Sequence, residues 1–169
     1  MTKVRMLGPD DAKIWRDLRI EGIRNYPGAF LTSLDEAKAQ SVEKIERGLA
    51  RKGTFAAFQD NEPVGIASIR PLTNRTRTRH RAEIGAFYVR PVAQGSGVAD
   101  ALMLAMIDFA RVEGIWQLEL FVAETNTRGT RFYERHGFVR EGRLPNAILD
   151  GDATEHDMFY VRDLRALRT

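Results

Sequence analysis

Hydrophobic and polar positions change period several times along this chain, and each change marks an element. Lys3-Val4-Arg5-Met6 alternates as a short strand does, and Gly8-Pro9-Asp10-Asp11 gives a turn and a helix start with acidic residues at the positive end of the dipole. Ile14 and Leu18, with Trp15 beside them, fall at helical spacing, so a helix with a core-packing face is expected to about Arg24. Asn25-Tyr26-Pro27-Gly28 stops it. Ser33 or Asp35 then caps a charged amphipathic helix expected from about Asp35 to Arg51.

Period-two patterning takes over at Gly53. Gly53 to Gln59 reads as a strand, Asp60-Asn61-Glu62 as a turn, and Pro63 to Leu72, with Val64, Ile66 and Ile69, as its hairpin partner. Ala82 to Val89 is the central strand. Gln94-Gly95-Ser96-Gly97 turns it into a helix, Val98 to Arg111, that is apolar almost all round apart from Asp100, Asp108 and Arg111 and so should lie buried against a sheet. Gly114 ends that helix and Ile115 to Val122 forms the next strand, an order that implies a right-handed parallel crossover. Asn126 to Arg135 makes a last helix closed by Gly137, and Phe138 to Val161 reads as two strands joined at Asp150-Gly151.

Composition narrows the chemistry. The 169 residues suit a single domain spanning 1–169 with its own core. No segment approaches the roughly 18 consecutive apolar residues of a membrane span, and the amino terminus carries no secretory or myristoylation pattern, so a cytoplasmic protein without membrane association is expected. Absence of cysteine excludes disulfides, thiolate metal sites and a Cys acyl-enzyme. His80, His136 and His156 lack ligand spacing, and no metal is expected. The net charge of +3 is too small to argue for nucleic acid. The basic run Arg75 to Arg81 reads as a solvated loop, with a cofactor phosphate or an acidic partner as other readings; RNA is disfavoured because the run has no aromatic residues for stacking.

The glycine turn carries the most specific signal. Glycine permits positive φ and close backbone approach, and a helix start presents unpaired N–H groups at a positive dipole end, a cradle for phosphate oxygens. A Walker A loop would need Lys-Ser/Thr after Gly97, where Val98 and Ala99 stand; a dinucleotide fingerprint would need glycine at Asp100. Gln94, Gly97 and Ala99 do occupy the places of the Gln/Arg-x-x-Gly-x-Gly/Ala loop. Further on, Asn126, Tyr133, Gly137 and Phe138 in ETNTRGTRFYERHGF follow a second pattern in the right order. On these two motifs the chain resembles the GNAT N-acetyltransferase superfamily.

That resemblance implies an α/β (α+β) fold, a mixed, mostly antiparallel central sheet with helices on both faces, and acetyl-CoA as cosubstrate. It implies that backbone groups of Phe87, Tyr88 and Val89 bind the pantetheine arm. Amides of Gln94, Gly95, Ser96, Gly97, Val98 and Ala99 would hold the diphosphate, and Asn126 would contact the arm. Tyr133 matches the tyrosine that approaches the CoA sulfur, where an ordinary pKa of about 10 would let it donate a proton to the departing thiolate; the other reading is a ring packed on Phe132. An amine with a pKa of ~10.4 is neutral in only about one part in two thousand at pH 7, so a base is useful. Glu83, eleven residues before Gln94, is the base candidate, with Glu124 or a water chain as alternatives. Tyr26, Phe30 and Leu31 would either tuck under their loop or wall the acceptor site. Asp150, Asp152, Glu155 and Asp157 would suit a cationic amine if they face a pocket. The expected activity is direct acetyl transfer to a small amine or amino acid. Alternatives are a protein amino terminus or lysine as acceptor, or a non-catalytic acyl-CoA-binding regulator. Homodimerisation is plausible by resemblance alone.

Overall fold

A computed structural model describes residues 1–165. Seven strands form one sheet: β1 (Lys3–Met6), β2 (Thr54–Gln59), β3 (Glu62–Pro71), β4 (Arg81–Val89), β5 (Gln117–Ala123), β6 (Val139–Asp150) and β7 (Ala153–Asp163). They lie in the order β1-β2-β3-β4-β5-β7-β6. The β1–β2, β2–β3, β5–β7 and β6–β7 pairs are antiparallel, and β4 pairs with β5 in parallel through Arg81–Gln117, Ala82–Leu118 and Glu83–Glu119. The mixed, mostly antiparallel sheet expected from the sequence is therefore present.

The chain divides into two compact units, and the division cuts β4: residues 1–70 with 84–113, and residues 71–83 with the chain from 114 onward. In the first unit, α1 (Ala12–Asn25), α2 (Leu34–Ala39), α3 (Val42–Leu49) and α4 (Val98–Val112) accompany the strands. Strand alternation sends Ala56 and Ile66 into a cluster with Leu7, Leu18, Ile45, Leu49 and Tyr88. Phe55, of opposite parity, meets Phe109 of α4 edge to face at 5.9 Å, so helices cover both faces of this unit's strands. Two glycines permit close packing. A Cβ on Gly22 of α1 would stand 2.8 Å from Tyr88 Cγ, and one on Gly65 of β3 would stand 3.0 Å from the Tyr88 carbonyl and 3.2 Å from Leu102 and Val98.

Two expectations change here. The single helix expected over Asp35 to Arg51 is two helices. Gln40 is extended at ψ 123° and the Ser41 hydroxyl accepts from the Lys44 amide, so a second N-cap sits inside an otherwise helical stretch. The strand expected from Ile115 starts at Gln117 and runs to Ala123. The cap of α2 is Ser33, which shares a reciprocal capping box with Glu36. Asp60 and Asn61, at φ 49° and 66°, make the tight β2–β3 turn.

In the second unit α5 (Thr127–Arg135) meets β7, the Tyr160 hydroxyl donating to Glu134 at 3.0 Å. The basic run forms a loop with a 3-10 turn at Thr76–Thr78, where the Thr78 hydroxyl donates to the Leu72 carbonyl at 2.8 Å. Arg75, Arg77 and Arg79 are exposed, the solvated reading, whereas Arg81, the first residue of β4, grips Glu119 of β5 with two nitrogens. His80 stacks on Trp116 at 4.3 Å. Among the described residues no helix is long and apolar enough to cross a membrane, and no group of three His, Asp or Glu side chains could hold a metal ion.

Candidate active site

The turn after β4 is built from its side chains inward. Pro91–Ala93 makes a 3-10 turn, Gln94 is extended, and Gly95 and Gly97 take φ of 78° and 83°, the left-handed region that favours glycine. Gly97 is the N-cap of α4, and it offers no side-chain cap, at a helix start where amides lack the i−4 carbonyls of later turns. Gly95, Ser96 and Gly97 are exposed. A Cβ at either glycine would meet nothing within 4 Å, so these positions need glycine for conformation and leave open space before the amides.

Side chains of the motif brace this loop. The Gln94 carboxamide donates to the Val89 carbonyl at 3.0 Å and to the Tyr26 hydroxyl at 3.2 Å. The Ser96 hydroxyl donates to the Ala93 carbonyl at 2.7 Å and accepts from Gln59 at 3.1 Å. Beneath them, Arg90 makes a bidentate pair with Glu21 of α1, with nitrogens 2.9 to 3.1 Å from its oxygens, and donates to the Pro63 carbonyl at 2.9 Å. Tyr88 donates to the same Glu21 at 2.9 Å and accepts from Asn25 at 3.0 Å. Burial, then the Glu21 hydrogen bond, push the Tyr88 hydroxyl up to about 12. Tyr26 thus joins the loop bracing, Phe30 packs against the core under the Arg19 guanidinium, and Leu31 is exposed. Neither Arg90 nor Glu21 was marked by the sequence reading; their partnership spans 69 residues and leaves no local signal.

A second unmarked feature is Ala86. It sits inside β4 at φ 51°, in the left-handed region where an alanine is strained, immediately before Phe87, Tyr88 and Val89. Glu83, three residues earlier, is half-buried and stands in register with Glu119 across the parallel pair.

In the second unit, Asn126 caps α5, its Oδ1 accepting from the Gly129 amide at 2.9 Å. Its oxygen therefore has a structural duty besides any contact with CoA. Tyr133 is half-buried on α5, its ring edge to face with Phe132 at 5.4 Å and Phe138 at 5.8 Å. Desolvation pushes its hydroxyl up to about 12, so the ordinary value expected from sequence is replaced by a weaker acid. Glu124 is exposed and ion-paired to Arg143 at 3.3 Å.

Comparison with known proteins decides the family. The model of the acetyltransferase (GNAT) family matches residues 15–138. The chain belongs to the GNAT acetyltransferase family. Within it, the chain is 41% identical over 141 residues to a mycothiol acetyltransferase of Renibacterium salmoninarum, an alignment covering 81% of this chain and 40% of that protein. A homologue of the same name from Rhodococcus erythropolis is 33% identical over 91 residues, 52% of this chain and 30% of that one. The chain thus spans less than half the length of these curated relatives. Among solved structures, yncA of Salmonella typhimurium, a putative acetyltransferase with its cofactor acetyl-CoA, superposes with a TM-score of 0.83 at 15% identity, covering 100% of this chain and 97% of that one. The paia N-acetyltransferase of Thermoplasma acidophilum, in complex with coenzyme A, gives 0.73 at 20% identity over 96% of this chain and 99% of that one. At these identities the likeness to solved structures is one of fold, and the expected GNAT architecture stands on it.

Proposed function

We propose that this GNAT protein transfers the acetyl group of acetyl-CoA to a primary amine by direct attack in a ternary complex. The observation that carries the reading is the uncapped start of α4 behind Gly95 and Gly97. The exposed Gly95, Ser96 and Gly97 lead into the positive end of a 15-residue helix, suited to an anion such as the diphosphate of CoA. Phe87, Tyr88 and Val89 supply backbone groups for the pantetheine arm, and the strained Ala86 sets the direction of that backbone.

Transfer needs the amine neutral, the carbonyl attacked and the thiolate stabilised. With no cysteine in the chain, the amine nitrogen forms its bond to the acetyl carbon directly and the carbon–sulfur bond breaks. Glu83, directly or through water, takes the amine proton. Glu124, ion-paired to Arg143, is the reserve base. Tyr133 donates a hydrogen bond to the departing sulfur. Because burial holds its hydroxyl near 12, that bond stabilises the thiolate while solvent supplies the final proton. The acceptor in this reading is a small amine or amino acid.

Calorimetry with acetyl-CoA, followed by CoA-release assays over an amine panel with Glu83→Gln and Tyr133→Phe as controls, tests the proposal. Micromolar binding with turnover of at least one amine is expected. Absence of acetyl-CoA binding would end it, and binding without turnover of any amine would leave a non-catalytic acyl-CoA-binding protein instead.

A further inference from the structure

The second unit holds a carboxylate for which the steps above have no use. Asp157 on β7 is 6% exposed, and among the described residues its carboxylate has no side-chain hydrogen bond or ion pair. Neighbouring acids are committed: Glu155 accepts from the amide and hydroxyl of Thr125, and Glu124 holds Arg143. An uncompensated buried carboxylate is costly, so this position asks for a cation that the chain itself does not provide. Burial, then the negative charge of Glu155, push its carboxyl above the ordinary range.

What surrounds it defines the guest. Direct cross-strand partners share a face of a sheet, so Asp157 lies beside Ala123 of β5 and Leu144 of β6. Two residues along on the same face are Phe121 and Phe159, rings tilted at 5.0 Å, with Gly142 opposite Phe159 leaving side-chain space. The face bearing Tyr160, which meets α5, is the opposite one. Asp157 and Ala123 are buried, while Phe121 and Leu144 beside them are 48% and 52% exposed. An anionic floor with an aromatic and aliphatic rim matches an ammonium on a hydrocarbon body, with cation–π attraction added.

We propose that this face receives a lipophilic primary amine, its ammonium on the Asp157 carboxylate and its hydrocarbon body along Phe121, Phe159 and Leu144. That the guest is the acetyl acceptor rests on the acetyl-transfer reading above; that the face binds amines does not. The test uses the full chain, Asp157→Asn and Leu144→Ala, with phenethylamine and hexylamine against ethanolamine. The wild type is expected to favour the two apolar amines. Asp157→Asn should raise their KM about 10- to 100-fold, the loss of a hydrogen bond to a charged group, leave the KM for acetyl-CoA within about twofold, and keep or raise Tm because an uncompensated charge is gone. Leu144→Ala should narrow the preference for phenethylamine over ethanolamine. Unchanged amine KM in Asp157→Asn, or a fall in Tm with no change in KM, overturns the proposal. If the wild type acetylates none of these amines, the acetyl-transfer reading fails for them and thermal shift with phenethylamine decides the site. Stabilisation of the wild type but not of Asp157→Asn upholds it, and equal or absent stabilisation overturns it.

Discussion

Replacing Tyr133 by Phe removes one oxygen and separates two ways the hydroxyl can assist. Burial moves it from 10.0 to about 12, and at about 1.36 kcal/mol per unit this is on the order of 3 kcal/mol in favour of the protonated form. A thiol has a reference pKa of ~8.5, so passing the whole proton to a thiolate runs uphill by about 3.5 units, or roughly 5 kcal/mol. Donating a hydrogen bond to the developing charge has no such cost. Such bonds are worth about 1.5–3 kcal/mol, which predicts that Tyr133→Phe lowers kcat by about 10- to 150-fold. The edge-to-face contacts with Phe132 and Phe138 survive in the variant, so acetyl-CoA affinity by calorimetry should move by less than about threefold. The pH profile supplies an independent check. A hydroxyl near 12 keeps its proton throughout an ordinary assay, so the wild type should show no alkaline limb near pH 10 that the Phe variant lacks. A loss beyond about 10⁴-fold would point to full proton transfer, and an unchanged kcat would reduce Tyr133 to a packing residue. Either result refutes the reasoning.

Three further outcomes follow from the same geometry. Gly97→Ala forces a Cβ into φ 83° with open space around it; the strain of about 1–2 kcal/mol should weaken acetyl-CoA binding about tenfold by calorimetry, and unchanged affinity would detach the loop from the cofactor. Glu21→Gln breaks a bidentate pair whose side chains are each about 30% exposed, so about 2 kcal/mol of stability should be lost in urea melts, with the KM for acetyl-CoA rising and kcat at saturation kept. A kcat loss without a KM change would contradict a role in positioning the loop. Tyr88 and Tyr133 both have hydroxyls raised to about 12, so the native state holds these protons more tightly than the unfolded chain. Their stabilisation, on the order of 3 kcal/mol each, is complete below pH ~10 and lost as pH rises toward 12. Urea midpoints measured from pH 9 to 12 should fall over that window and fall less in Tyr88→Phe; a flat midpoint would dispose of the assignment.

Legibility of this chain in its sequence follows the range of the interaction responsible. The Asp60-Asn61 turn, the Ser33 cap and the Gly97 helix start are local, and their residue types announce them. Ser41 is also a local signal, but it sits where charged residues continue the helical pattern on both sides and so is masked. Ala86 announces nothing, because alanine carries no preference for positive φ and only the surrounding strands hold it there. Glu21 with Arg90, and Asp157 between Ala123 and Leu144, depend on register and on contacts far apart in sequence.

The motif itself is the instructive case. Its spacing located the loop, but the named side chains face inward in their duties: Gln94 ties Val89 to Tyr26, Ser96 ties Ala93 to Gln59, and Asn126 caps α5. These side chains brace the loop, and none of them caps α4. In the proposed reading the backbone amides serve as the cradle while the side chains of the Gln-x-Ser-Gly pattern brace it. It follows that truncating Gln94 should act through loop order, weakening CoA binding without changing its dependence on the charge of the diphosphate.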